Sequence, residues 1–337
     1  MRSLHCADLH CGSRALPNSR ERQRIMLKEI HRIAIEHKCD AVIVAGDLIE
    51  SYATHQDKDD LIEGISALDE ARLWTYLIRG NHDPYDAQYS HLESLAILAD
   101  KKRFRRVFVA DKNVECFPLP EEGHYIACAP AAKWTEELLA SAIEAVRPPE
   151  SNWFEVAFHG MIRDSVNDAG SNIFSKTAMM LPDLPFVNVW KLGDIHRFQR
   201  IRGHRAWYSG APRQLDYGDH SGERGVLIHD TRDPENPQFV QLRGLERVVR
   251  IKAGEKKPRG ALVQISGSAS ELAALPNSEL HGVATHLVTD DGKEAMQQIR
   301  SARDGDLAAE TLEQMSLDGV EGDDLAIAEE FLREFGV

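Results

Sequence analysis

Apolar residues fall into short runs separated by polar stretches, and the spacing within the runs switches between strand and helix periods. Residues 40–46 (Asp-Ala-Val-Ile-Val-Ala-Gly) form a continuous apolar run, the pattern of a central strand buried on both faces. Residues 1–7 predict a short buried strand ending at Asp8, and 73–79, 153–159 and 187–193 predict three more. Between these, 18–37 predicts a helix carrying Ile25, Ile30, Ile33 and Ile35 among charged residues, and 57–71, 91–99 and 134–147 predict others. This alternation predicts an α/β fold with strands inside and helices outside. From 198 to 241 short strands follow, with turn signals such as Arg202-Gly203-His204 and Asp219-His220-Ser221-Gly222. They predict a sheet continued by hairpins.

The turn-rich segment Gly254-Glu-Lys-Lys-Pro-Arg-Gly260 predicts a boundary near 243–260, giving domains at 1–242 and 243–337. Beyond it lie strand-like runs at 261–266 and 284–289, and helical segments near 269–274, 292–301, 306–316 and 323–335. In the last segment Leu325, Ala328, Phe331, Leu332 and Phe335 form one face of an acidic amphipathic helix. Such a helix either docks on its own domain or binds a partner.

Charge changes the picture more than composition does. The net charge of −14 argues against a simple nucleic-acid binder. Residues 301–337, however, carry eleven acids against two bases, so the first 300 residues account for only −5. The five cysteines form no CxxC pair, which excludes a disulfide framework or a thiolate zinc site as the organising feature. Cys39 and Cys128 lie in apolar contexts and are expected in the core. No apolar run reaches the ~18 residues of a membrane span. The start lacks the apolar stretch of a signal peptide, and a cytoplasmic location is the expectation.

The candidate chemistry lies where the predicted strands end. The clusters are Asp8-Leu9-His10, Gly46-Asp47, Gly80-Asn81-His82-Asp83, Phe158-His159-Gly160 and Gly193-Asp194-Ile195-His196. In open α/β sheets, sites form at the carboxyl ends of strands. Carboxylates, imidazoles and one amide oxygen suit Mn²⁺, Fe or Zn²⁺. Two such ions sharing a carboxylate activate a bridging water as hydroxide for in-line attack on a phosphate ester.

These motifs resemble the calcineurin-like metallophosphoesterase superfamily, with its Asp-x-His, Gly-Asp, Gly-Asn-His-Asp/Glu, later His and Gly-His-x-His. Within it, the chain is most similar to the SbcD-type nucleases of DNA double-strand-break repair. The likeness rests on Leu4-His-Cys-Ala-Asp-Leu-His-Cys-Gly12, Val44-Ala-Gly-Asp-Leu-Ile49 and Ile78-Arg-Gly-Asn-His-Asp83. It continues through Gly193-Asp-Ile-His-Arg-Phe-Gln199 to Trp207-Tyr-Ser-Gly-Ala-Pro-Arg-Gln214, and covers residues 1 to about 241. The resemblance implies an α/β fold: a metallophosphoesterase four-layer β-sandwich flanked by helices, with a smaller α+β C-terminal capping domain. It implies that Asp8, His10 and His196 hold one ion, that Asn81, His159 and Asp194 hold the other, and that Asp47 bridges both. His82 would then face the phosphate and protonate the leaving oxygen as a general acid, unless it merely stands behind the ligands. The resemblance further implies Mn²⁺ as cofactor, exonuclease action on duplex DNA ends and endonuclease action on single strands. It also implies a homodimer and an SbcC-type coiled-coil ATPase partner, for which 323–335 is the candidate dock.

Two positions depart from the pattern. Asp194 replaces the first histidine of Gly-His-x-His, which adds negative charge and lowers the Lewis acidity of its ion. Glu50 stands where SbcD-type enzymes commonly have histidine, and either orients His82 or is a solvated acid at a helix start. The motifs leave the substrate open. Bases that would meet DNA phosphates are Arg14, Arg20, Arg22 and Arg24, then Lys101, Lys102, Arg103, Arg105 and Arg106, then Arg197, Arg200, Arg202, Arg205 and Arg213. Arg14, Arg197 and Arg213 are the leading candidates. The alternatives are a stand-alone phosphodiesterase or phosphatase on a small or protein substrate, and a degraded site kept as a scaffold. His5 is a candidate to support the ligands from behind.

Overall fold

The computed structural model describes residues 1–84, 89–101, 103–166, 173, 178–219, 223–276, 283–288 and 294–295. The chain divides into two units, Met1–Leu245 and Glu246–Val337. In the first unit, β1 (Arg2–Cys6), β2 (Ala41–Val44), β3 (Trp74–Ile78) and β4 (Val107–Ala110) run parallel in one sheet. The crossovers carry α1 (Ser19–Glu36), α2 (His55–Glu70) and α3 (Leu92–Asp100). A second sheet holds β5 (Glu115–Pro118), β6 (His124–Ala129), β7 (Trp153–His159), β8 (Val189–Gly193), β9 (Gln199–Arg200) and β10 (Ala206–Tyr208), in the order β5-β6-β7-β8-β10-β9. Helix α4 (Glu136–Val146) lies between β6 and β7 in the chain. The chain then returns to the first sheet, where β11 (Gly225–Asp230) pairs antiparallel with β1 and β12 (Asp233–Gln241) closes the edge.

The two-residue period of each strand sorts its side chains between layers. In β2, Ala41 and Ile43 join Tyr76, Ile78, Ile126, Cys128 and Ala157 in the core shared by the two sheets. Val42 and Val44 point the other way, into a core with Met26, Ile30 and Ile33 of α1 and Leu61 and Ile65 of α2. Leu139 and Ile143 of α4 pack with Phe154, Val156 and Phe158 behind the second sheet. Each such aliphatic side chain contributes roughly 1.5–3 kcal/mol by leaving water. The order of layers is helix, sheet, sheet, helix: the expected four-layer sandwich. Helix α2 starts two residues before its sequence expectation because Thr54 and Asp57 form a capping box.

The second unit, described by itself, has parallel β13 (Arg247–Lys252), β14 (Ala261–Gly267) and β15 (Ala284–Val288), with α5 (Ala269–Ala273) following β14. Val263, Ile265 and Leu272 form its small core. Residues 294–295 lie within an expected helix over 292–301, yet form β16 (Glu294–Ala295), antiparallel to β15. The helices expected at 306–316 and 323–335 lie outside the described residues. Among the described residues no helix is long and apolar enough to cross a membrane.

Candidate metal centre

The carboxyl ends of β1, β2, β3, β7 and β8 bring the five motifs together. The loops after β1 and β2 run side by side: Asp8 N–H donates to Gly46 O at 3.0 Å, His10 N–H to Asp47 O at 3.0 Å and Glu50 N–H to Cys11 O at 2.9 Å. Four candidate ligands adopt left-handed backbone, with φ of 56° at Asp8, 44° at His10, 50° at Asp47 and 101° at Asp194. Such positions cost about 1–3 kcal/mol each for a non-glycine residue and cluster at functional sites. Here they turn the side chains back over the strand ends.

Asp8 is fully buried. Its Oδ1 accepts the Asp194 N–H at 3.0 Å, and its Oδ2 has no hydrogen-bond donor. His10 Nε2 and His196 Nε2 lie 3.2 Å apart. Asp47 Oδ1 accepts the His82 N–H at 2.8 Å. Its Oδ2 stands 3.6 Å from His10 Nε2 and 3.4 Å from His159 Nε2, between the two groups of ligands. His159 Nε2 in turn lies 2.8 Å from Asn81 Oδ1 and 3.8 Å from Asp194 Oδ1.

The imidazoles are aimed from behind. His159 Nδ1 bonds Ala45 O at 2.7 Å, His10 Nδ1 bonds Glu50 Oε1 at 2.8 Å, and His196 Nδ1 meets Asp219 Oδ1 at 3.4 Å. A ring that donates through Nδ1 presents the Nε2 lone pair inward, as a metal ligand requires. The second oxygen of Glu50 bonds His82 Nδ1 at 3.1 Å, so one buried carboxylate orients both rings. Asp83, fully buried, accepts from Gly80 N at 2.6 Å and Ile49 N at 2.9 Å, which ties the Asn81 loop to the Asp47 loop. His5, the candidate support, has its Nε2 3.2 Å from Leu192 O between the sheets.

Electrostatics express an excess of buried negative charge. Burial raises the Asp8 and Asp194 carboxyls, and burial with Asp47 pushes Asp83 up to about 7. Burial works against a charged His159, but Asp47, Asp8 and Asp194 outweigh it and raise the ring to about 10. Divalent cations would balance the same carboxylates without protons. The donor atoms of Asp8, His10 and His196 lie within 4.8 Å of one another, as do those of Asp8, Asp47 and His159. With the orphaned Asp8 Oδ2 and the central Asp47 Oδ2, the donor set fits two divalent ions.

Residues 1–204 match the profile of a family described as calcineurin-like phosphoesterase. The chain belongs to this family. It is a metal-dependent phosphoesterase. The D subunit of nuclease SbcCD from Bacillus subtilis (strain 168) is 26% identical to this phosphoesterase over 290 residues, 75% of this chain and 72% of the relative. Its namesake in Rhodobacter capsulatus is 24% identical over 297 residues, 77% of this chain and 73% of the relative. Among solved structures, the crystal structure of TT1561 of Thermus thermophilus superposes with a TM-score of 0.44 at 12% identity, covering 72% of this chain and 99% of that one.

The phosphoesterase fold places the basic candidates in different surroundings. Arg213 is 1% exposed and bonds His10 O at 3.0 Å, so it lies beneath the centre and presents no charge to a phosphate backbone. Arg22 is buried in α1, and Arg20 and Arg24 pair with Asp60 at 2.8 and 3.0 Å. Arg14 remains exposed but pairs with Asp57. Arg200 and Arg205 share Glu235. Arg197 is half-buried beside His196, with no ion pair among the described residues. The support residue unread in the sequence is Asp219. It lies in a polar turn 23 residues after His196, and no spacing rule links the two.

Proposed function

We propose that this phosphoesterase is a DNA nuclease using two Mn²⁺ ions, an exonuclease on duplex ends and an endonuclease on single strands, acting in DNA repair and recombination. One observation carries the reading: two relatives named as nuclease subunits align with about three quarters of the chain. In this proposal Asp8, His10 and His196 would hold one ion, Asn81, His159 and Asp194 would hold the other, and Asp47 would serve both. Bound there, the ions supply Lewis acidity at the phosphoryl oxygens and an acidified water. Three carboxylates and an amide among seven ligands favour a hard ion such as Mn²⁺.

The chain's own proton chemistry falls to His82. Its side chain is about half exposed while its Nδ1 is held by Glu50, which leaves Nε2 for the substrate. The Glu50 hydrogen bond raises the ring from its ordinary value, against burial, which favours the protonated form that a proton donor needs. The ring donates that proton to the leaving oxygen. The left-handed turns at Asp8, His10 and Asp47 hold the ligands in place before substrate arrives, which removes reorganisation from the reaction.

Arg197 and Arg14 are the proposed backbone contacts, binding without reading sequence. The names of the relatives support a partner of the SbcC ATPase type. A homodimer, a cytoplasmic location, a capping role for 243–337 and docking through 323–335 complete the proposal. A second reading, a stand-alone phosphodiesterase or phosphatase on a small or protein substrate, gains support from the acids that occupy Arg14, Arg20 and Arg24.

The test is digestion of end-labelled linear duplex DNA with Mn²⁺, beside hydrolysis of bis-p-nitrophenyl phosphate. Digestion that disappears in His82→Ala supports the nuclease. Hydrolysis of the small diester without any digestion, with and without an ATPase partner, favours the second reading.

A further inference from the structure

The ligands of the two ions are supported by different parts of the chain. His159 is anchored on Ala45 O at 2.7 Å, at the end of β2, and Asp194 N–H on Asp8 Oδ1 at 3.0 Å. The Asn81 loop is held through Asp83 to Ile49 N at 2.9 Å. These anchors belong to the strand ends themselves.

His10 Nδ1 is held by Glu50, but His196 and the His10 carbonyl also lean on the turn that precedes β11. Asp216 Oδ1 accepts from Gly218 N at 2.6 Å and Asp219 N at 2.8 Å, which fixes the turn. Asp219 Oδ2 then accepts from Leu215 N at 2.6 Å while Oδ1 faces His196 Nδ1 at 3.4 Å. Arg224 bonds His196 O and lies 3.8 Å from Asp219 Oδ2. Ala211 N–H donates to the same His196 carbonyl at 3.0 Å. Arg213, from the same turn, reaches beneath the first loop to His10 O at 3.0 Å and Leu9 O at 3.5 Å. Its Nε and Nη1 are buried without hydrogen-bond partners among the described residues. A buried guanidinium with idle donors is unfavourable, and burial, aided by Arg22, outweighs the nearby Asp219 and Glu50 carboxylates and lowers it to about 10.

We infer that this turn governs one ion of the pair: Asp219 and Arg213 are positioning residues for the Asp8–His10–His196 site, and the Asn81–His159–Asp194 site forms without them. The inference rests on the two-ion reading above. It makes the turn a place where loading of one ion is set separately from the other.

The experiment is Mn²⁺ titration of the chelator-stripped full chain by calorimetry, with electron paramagnetic resonance of the loaded protein. Wild type takes two ions and gives the spectrum of a coupled pair. Asp219→Ala is expected to weaken one site about 10–100-fold and leave the other unchanged. At limiting Mn²⁺ its spectrum becomes that of isolated ions. Asp219→Asn, isosteric and still able to accept the Nδ1–H, recovers part of the loss and stays readable if the alanine variant does not fold. Arg213→Lys is expected to weaken the same site. Equal weakening of both sites, or two unchanged affinities, overturns the inference. Fewer than two ions on wild type removes the two-ion reading and the inference with it.

Discussion

Gly80 offers a sharp test of how tightly the centre is built. A Cβ at this position would lie 2.1 Å from Asp47 Oδ1, 2.2 Å from Asp47 N and 2.7 Å from Asp47 Cγ. Ordinary contact begins near 3.4 Å, so alanine demands a shift of roughly 1 Å in one strand end or the other. The obstacle is the bridging candidate's own backbone and carboxylate, not the end of a flexible side chain. Overpacking of this kind costs about 1–3 kcal/mol. For a unit of this size each kcal/mol lowers Tm by about 2–4 °C. Activity is expected to suffer far more, because displacing a positioning group by about 1 Å costs on the order of 100-fold. Gly80→Ala should therefore fold, melt several degrees lower and hydrolyse bis-p-nitrophenyl phosphate at about 1% of the wild-type rate. Gly203→Ala is the control. That glycine has φ of 82° with nothing within 4 Å of a built Cβ, so alanine brings only local backbone strain. A Gly80→Ala enzyme with wild-type turnover would refute the packing argument.

Three further outcomes are expected. Asp194→His removes a buried carboxylate from the ligand set and should move the metal profile from Mn²⁺ toward Zn²⁺; indistinguishable metal-dependence curves would dismiss the idea. Glu50→Gln can accept from only one of the two imidazoles that Glu50 holds, so kcat should fall about 10–100-fold, measured on the small diester at saturating Mn²⁺. Acid stability should report His5 and His229, both buried. Burial, with Lys191 nearby, lowers His5 to about 3, and burial holds His229 well below its ordinary value. Their stabilising contribution is complete above the unfolded value near 6.5 and is lost as pH falls toward the folded ones, at about 1.4 kcal/mol per pH unit for each ring. Denaturant melts of metal-free protein between pH 7 and 4 should show a shallower slope for His229→Phe, and an unchanged slope would count against the assignment.

How much of this was legible in the sequence depends on distance along the chain. Strands β2, β3, β7 and β8 could be read because each is an apolar run that stops at a polar cluster. Strands β4, β5 and β6 could not. Edge strand β5 has only four residues and contains Pro118, and β4 is equally short. Strand β13 fell inside an expected boundary, since Arg247 and Lys252 at its ends and Arg250 within it mask Val248, Val249 and Ile251. The candidate ligand motifs are local, so they can be proposed without the fold. Their supports are not local. Glu50 reaches His10 only because Cys11 and Ile49 pair across adjacent loops, and Asp219 meets His196 only after the chain has passed through β9 and β10.

The basic residues show the same limit from the other side, because a sequence displays charge without showing what already neutralises it. Arg20 and Arg24 point from α1 at Asp60 on α2, a pairing 36 to 40 residues apart that periodicity within either helix does not reveal. The consequences differ with burial. An exposed ion pair contributes only about 0–1 kcal/mol and weakens with salt, but the Arg14 side chain, 44% exposed, pairs with an Asp57 that is fully buried, so a phosphate that took Arg14 would leave a buried carboxylate without its cation. Arg213 is held more firmly still. To meet a phosphate it would have to leave the carbonyls of Leu9 and His10 and vacate the space beneath a candidate ligand loop. Arg213 is therefore better placed to hold the shape of the candidate metal centre than to meet a substrate, and Arg197, with no ion pair among the described residues, is the basic candidate that gives up least in meeting a phosphate.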